Sequence, residues 1–187
     1  MARTKPSAEP IRTPRLVLRP AGAADIDAVV PLVESAYRGE ASRAGWTTEA
    51  DLLGGQRVDR DMVATAVAEP DAEVVLALAG DDLVACCELR HDDEGLDTHL
   101  GMFAVRPELQ AAGVGRRVLA EGERRAAARG SRRVVLSVIE QRAELIAWYE
   151  RRGYERTGET ASFPYGDERF GLPARDDLAF ALLAKDL

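Results

Sequence analysis

At 187 residues, with 46% apolar and 30% charged side chains, the chain has the size and composition of one soluble globular domain with a sizeable core. Its net charge of −7 argues against general affinity for nucleic-acid phosphates or anionic membranes, and is mildly compatible with a cationic amine ligand. No run approaches the roughly 20 apolar residues that a membrane span needs.

Met1 to Pro14 carries basic residues with no apolar run behind them, which is not a secretory signal. Its Pro, Ser and Thr content predicts a flexible tail over residues 1–10, ahead of a single domain over 11–187. Cys86 and Cys87 are adjacent, and strand neighbours point to opposite faces, so they cannot staple distant segments. They offer no metal-ligand spacing, and a reducing cytoplasm is the expected location.

In chain order, Arg15 to Pro20 reads as a first strand. Asp25 opens a helix whose apolar stripe is Ile26, Val29, Val30 and Val33. Gly39 to Gly55 is irregular and carries side chains suited to a pocket, Arg43, Trp46, Thr47 and Glu49. A short helix follows from Asp59 to Ala68, stopped before Pro70. Val74 to Ala79 and Leu83 to Arg90 flank Gly80-Asp81-Asp82, a hairpin signal. A turn at Asp92-Asp93-Glu94-Gly95 leads to a strand from Thr98 to Val105, ended by Pro107, which has no ladder donor. The period then changes. Gly113 to Arg129 reads as a helix stopped by Gly130, and Val134 to Ile139 as a strand buried on both faces. A helix from about Ala143 to Arg152 ends at Gly153. Tyr154 to Thr157 and Leu178 to Leu183 read as two last strands, joined by a Pro/Gly-rich connection.

The informative segment runs from Val105 to Arg117, where a buried strand ends, a short loop follows and a helix starts with Gly113 and Gly115 near its first turn. The first amides of a helix have no internal partner, and the helix dipole adds partial positive charge there. Glycine removes Cβ atoms that would hold an anion away from those amides, and Arg116 and Arg117 add charge at the rim. This arrangement suits a diphosphate. A P-loop would need Lys and Ser or Thr where Arg116 and Arg117 stand. A dinucleotide fingerprint would need a small residue at Val118 and a place on a first strand.

The string from Leu100 to Leu119, with Val105-Arg106-Pro107 followed by Gln-x-x-Gly-x-Gly over 110–115, resembles the acetyl-CoA signature of the GCN5-related N-acetyltransferases, the GNAT family. Downstream, Trp148-Tyr149-Glu150-Arg151-Arg152-Gly153-Tyr154 resembles that family's second signature. More loosely, the resemblance extends from Ile11 to the C-terminus. It implies a single-domain α/β fold, a mixed and mostly antiparallel central sheet flanked by helices, with two splayed central parallel strands. It also implies acetyl-CoA as co-substrate and transfer of the acetyl group to a primary amine of a small molecule or peptide. The alternatives are a non-catalytic acyl-CoA-binding module on the same scaffold, another nucleotide-phosphate binder, or a larger acyl donor.

Carried over residue by residue, the resemblance places the amides of Gln110, Ala111, Ala112, Gly113, Val114, Gly115 and Arg116 on the cofactor diphosphate. The main chain of Phe103, Ala104 and Val105 would bond pantetheine inserted between the splayed strands. Tyr149 matches the tyrosine near the cofactor sulfur, where a phenol would protonate the leaving thiolate; Trp148 and Tyr154 read as packing. The chain departs from the pattern twice. Arg142 stands where many members place a cofactor-binding Asn, and Gly101 and Met102 stand where many carry an acidic residue. An ammonium acceptor, pKa about 10, must lose a proton before it attacks. The residues that could receive it are Glu88, His99 and, past the other central strand, Glu140. The acceptor side points to Trp46, Thr47, Glu49 and Asp51, and to Phe163, Tyr165, Asp167, Phe170 and Arg175. A monomer or homodimer is expected.

Overall fold

The computed structural model describes residues 14–92 and 96–187. The tail expected over residues 1–10 and most of the turn expected at 92–95 lie outside them. The elements are β1 (Val17–Pro20), α1 (Ile26–Tyr37), α2 (Gly39–Ser42), β2 (Leu53–Gly54), α3 (Arg60–Ala68), β3 (Ala72–Ala79), β4 (Asp82–His91) and β5 (Asp97–Val105). They continue with α4 (Val114–Arg129), β6 (Arg133–Ile139), α5 (Ala143–Glu150), β7 (Glu155–Ser162), β8 (Leu172–Pro173) and β9 (Ala179–Asp186).

Seven strands form one sheet in the order β1-β3-β4-β5-β6-β9-β7, antiparallel except between β5 and β6. The crossover that a parallel pair of strands needs is supplied by α4. Alternation along the strands splits the core into two layers. Val74, Leu76, Cys86, Met102 and Ala104 face α1 and α3, whereas Val75, Ala77, Cys87 and Leu89 share a cluster with the inner faces of α4 and α5. The two cysteines are therefore buried on opposite faces, with both thiols pushed up by burial.

The local signals explain most element ends. Asp59 caps α3 by accepting from the Met62 amide at 2.8 Å. In α4, Val114, Val118, Leu119 and Ala126 form the buried stripe, and Gly130 closes the helix with its amide on Ala126 and Ala127. Two features differ from the sequence expectation. β7 runs five residues past the expected end at Thr157, to Ser162, although every one of its residues is exposed. It is an edge strand held by β9, so it lacks the apolar alternation that marks an interior strand. β2 and β8 pair only Leu53-Gly54 with Leu172-Pro173, too short to leave a period in the sequence.

The consequential feature is the seam between β5 and β6. Their ladder holds three pairs, Asp97 with Arg133, Thr98 with Val134 and His99 with Val135, and then stops. On the other edge of β5, the ladder to β4 is interrupted by a bulge between Cys86 and Glu88, where Met102 takes a positive φ of 43°. Met102 and Phe103 thus have no ladder partner on either side. The two central strands splay from residue 100 onward.

Candidate active site

Two cavities open along this splay. The smaller, about 220 Å³, runs from the start of α4 to Tyr149 between Phe103, Trp46 and Trp148. The larger, about 360 Å³, lies between β4, β5, β6 and the 49–57 segment. Both are walled by Tyr37, Phe103, Leu145 and Tyr149, so they meet there.

At the far end of the smaller cavity the chain turns through left-handed backbone at Ala111 (φ 68°) and Gly113 (φ 82°) before α4 begins. Gln110 N bonds back to Pro107 O and Ala112 N to Leu109 O, while Arg117 N begins the helix ladder on Gly113 O. Between them, the amides of Gly113, Val114, Gly115 and Arg116 have no protein acceptor among the described residues. Successive unpartnered amides at a helix start form an anion-binding concavity. Arg116 lines the same cavity, as does Arg152, whose guanidinium stacks 3.6 Å from the Trp148 ring centroid. Arg152 was not legible as a site residue; it lies one turn past Trp148, and its Nη1 donates to the Trp148 carbonyl at 2.6 Å. Burial, and then Arg151 and Arg116, lower its pKa.

Tyr149 is 4% exposed, with its ring 6.4 Å from that of Phe103 and 5.0 Å, edge-on, from that of Trp148. Its hydroxyl makes no hydrogen bond to another described residue, and burial, followed by the nearby Tyr37, pushes its pKa well above that of a free phenol. Tyr37 itself donates to the Phe103 carbonyl at 2.5 Å, and burial pushes it up to about 12. Glu88 and His99 both line the larger cavity. Glu88 faces Gly101 across the β4/β5 ladder, and its Oε1 accepts from Arg90 at 2.8 Å.

A family model described as the acetyltransferase (GNAT) family matches residues 33–154, most of the chain. The protein belongs to the GNAT acetyltransferase family. No curated protein matches this GNAT sequence. Among solved structures, it resembles the ribosomal-protein-S18-alanine N-acetyltransferase of Escherichia coli, with TM-score 0.67 and 16% identity over 92% of this chain and 94% of that one. A GNAT acetyltransferase from Elizabethkingia anophelis, solved with acetyl-CoA bound, gives TM-score 0.64 and 14% identity over 92% and 98%. Nourseothricin acetyltransferase gives TM-score 0.54 and 23% identity over 63% of this chain, which spans 66% of that chain's length. At these identities the likeness is one of fold.

Several sequence-derived positions lie elsewhere in this GNAT chain than the motif suggested. The Gln110 side chain turns inward: its carbonyl accepts from Trp46 N and Thr47 N at 2.8 and 3.1 Å, and its amide donates to Thr47 Oγ1 and Val105 O at 2.7 and 3.0 Å. It staples the 45–47 loop to the end of β5. Tyr37 and Gln110 thereby occupy the Phe103 and Val105 carbonyls, and Ala104, in register with Cys86, is 1% exposed and lines neither cavity. Arg142 also lines neither cavity; it donates to Trp46 O at 3.4 Å and stands 3.6 Å from Glu49. Arg117 bonds the Pro14 carbonyl instead of the rim. Glu140 is exposed and outside both cavities.

On the acceptor side, Glu49, Phe163 and Phe170 line the larger cavity, whereas Trp46 and Thr47 wall the smaller one. Asp51, Asp167 and Arg175 point outward into pairs with Arg43, Arg169 and Asp177, and Tyr165 packs on Phe163. Short-range partners on the same loop outcompete a distant pocket for such exposed charges. No helix among the described residues is long and apolar enough to cross a membrane.

Proposed function

We propose that the protein moves an acetyl group from acetyl-CoA to a primary amine of a small molecule or peptide by direct attack. The observation that carries this reading is the meeting of the two cavities at Tyr149 and Phe103, one leading to unpartnered helix-start amides and the other to Glu88. The chain fits acetyl-CoA at three places. The amides of residues 113–116, with Arg116 and Arg152 beside them, would hold the diphosphate. Phe103, unpaired in either ladder, offers main chain to pantetheine, although its carbonyl already accepts from Tyr37. The aromatic walls of Trp46, Trp148 and Phe103 would exclude water around the chain between.

When bound, acetyl-CoA supplies an activated thioester carbon. Glu88, paired with Arg90 and with Oε2 turned toward Gly101, would take the proton that the ammonium acceptor must lose, with His99 beside it on the neighbouring strand. The freed amine lone pair forms the new C–N bond as the C–S bond breaks. Tyr149 stays protonated because burial disfavours its phenolate, so its O–H can donate to the departing sulfur. Holding both partners across one junction supplies much of the rate, since approximation alone is worth several kcal/mol.

The test is to incubate the protein with acetyl-CoA and a panel of amines while following free thiol, alongside a CoA-dependent thermal shift. Amine-dependent thiol release supports the reading. A CoA shift without thiol release on any amine would leave a non-catalytic module; no shift at all would remove the donor site.

A further inference from the structure

The larger cavity has its charges matched at one end and an excess of cations at the other. At the Glu88 end, the lining guanidinium of Arg90 is paired with Glu88 and with Glu69, which stands outside the lining. At the other end cations are in excess. Arg38, which lines the cavity, and Arg142, which does not, both converge on Glu49, at 2.6 and 3.6 Å, in a cluster whose side chains are at most 10% exposed. One carboxylate does not satisfy both guanidinium groups: Arg38 Nε and Arg142 Nη1 are buried with no hydrogen-bond partner among the described residues. Leaving a buried donor of a charged group unpaired costs free energy, and that cost is recovered when an anion binds.

Arg57 adds a further cation to this end. Its backbone is anchored, since Glu34 accepts from the Arg57 and Val58 amides, while its side chain lines the cavity with the guanidinium 5.4 Å from the Tyr37 ring centroid. It has no ion pair among the described residues. The Tyr37 ring carries it beside the junction of the two cavities rather than out in solvent.

Resting on the acetyl-transfer reading above, we infer that the acceptor is a small zwitterion, an amine carrying a carboxylate, whose carboxylate is held by Arg57 and Arg38 while its amine faces Glu88. A volume of about 360 Å³ suits a small molecule of this class. A polycation would meet the arginine end unfavourably.

The test compares amino acids with their carboxamides and decarboxylated amines, both by thiol release and by calorimetric binding to the CoA-saturated protein. Arg57→Gln is the informative variant, because Arg57 is only partly buried and its loss leaves no buried charge unpaired. The acid is expected to exceed its carboxamide at least about tenfold in kcat/KM and in affinity, equivalent to about 1.4 kcal/mol. Arg57→Gln should bring that ratio close to one, and Arg57→Lys should restore part of it. Equal use of acid and amide by the wild type, a preference for polyamines, or an undiminished ratio in Arg57→Gln would each overturn the inference. Acid binding that depends on Arg57 in a protein that releases no thiol would uphold the carboxylate site and overturn the catalytic reading instead.

Discussion

Glu88 stands directly across the ladder from Gly101, and a Cβ at residue 101 would come within 3.7 Å of Glu88 Oε2. The strand, which has no acidic side chain at residues 101 and 102, thus makes room for one supplied by its neighbour. Removing the charge without changing the shape, Glu88→Gln, should lower kcat/KM at pH 7 by about 100-fold, the low end of what a positioned general base contributes. Unchanged turnover would pass the role to His99 or to solvent, and His99→Gln in parallel distinguishes these.

Tyr149→Phe removes a hydroxyl that has no hydrogen-bond partner among the described residues, so stability should change by less than about 1 kcal/mol. Turnover should fall about tenfold or more while CoA affinity holds within a few-fold, read by calorimetry and initial rates. Wild-type activity in the variant would reduce Tyr149 to a packing residue.

The elevated pKa of Tyr37, about 12, also has a stability consequence. A phenol that binds its proton more tightly folded than unfolded stabilises the fold fully below the ordinary tyrosine pKa of about 10. That contribution is lost as pH rises from about 10 toward 12. Tyr149, also raised by burial, acts in the same direction. Urea midpoints should therefore fall between pH 9.5 and pH 11.5 (~2 pH units spanning that window), and Tyr37→Phe should flatten part of the decline. A midpoint that is level over this range counts against burial of the two phenols.

An added Cβ at Gly115 would point at Val105, Trp148 and Phe103, at 3.6, 3.7 and 3.8 Å, into the smaller cavity at ordinary contact distance. Gly115→Ala should therefore be tolerated, whereas Gly115→Asp places a carboxylate where the diphosphate would lie. The Asp variant should lose at least about 100-fold in CoA affinity, or about 2.7 kcal/mol, by calorimetry. Retained affinity would move the diphosphate elsewhere.

Gln110 and Gly45 form a lock. A Cβ at Gly45 would sit 2.5 Å from Gln110 Oε1, and Gln110 cannot swing away without breaking its bonds to Trp46, Thr47 and Val105. Gly45→Ala should cost about 1–3 kcal/mol, a fall of several degrees in Tm, and should also weaken CoA binding by releasing Trp46 from the cavity wall. A melting curve identical to wild type would show that the loop accommodates the methyl group.

The sequence alone carried the order of elements, because periods of 2 and 3.6 and the glycine and proline stops are local properties. The Gly113-Val114-Gly115 helix start and the run from Trp148 to Tyr154 were legible for the same reason, whereas a role for Tyr149 was an expectation from the family resemblance, and the structure lines one cavity with both segments. Tertiary structure alone decided which polar groups remain free. Gln110 looks like a ligand in the motif, yet its hydrogen-bonding capacity is spent on a loop some 64 positions earlier. Arg57 and Arg38 carry no local signal, and become a potential anion site only because β4, β5 and the 49–57 segment converge, leaving more guanidinium groups than carboxylates at one end of a shared cavity. Charge balance in a pocket is a sum over segments distant in the chain, and no window of sequence contains it.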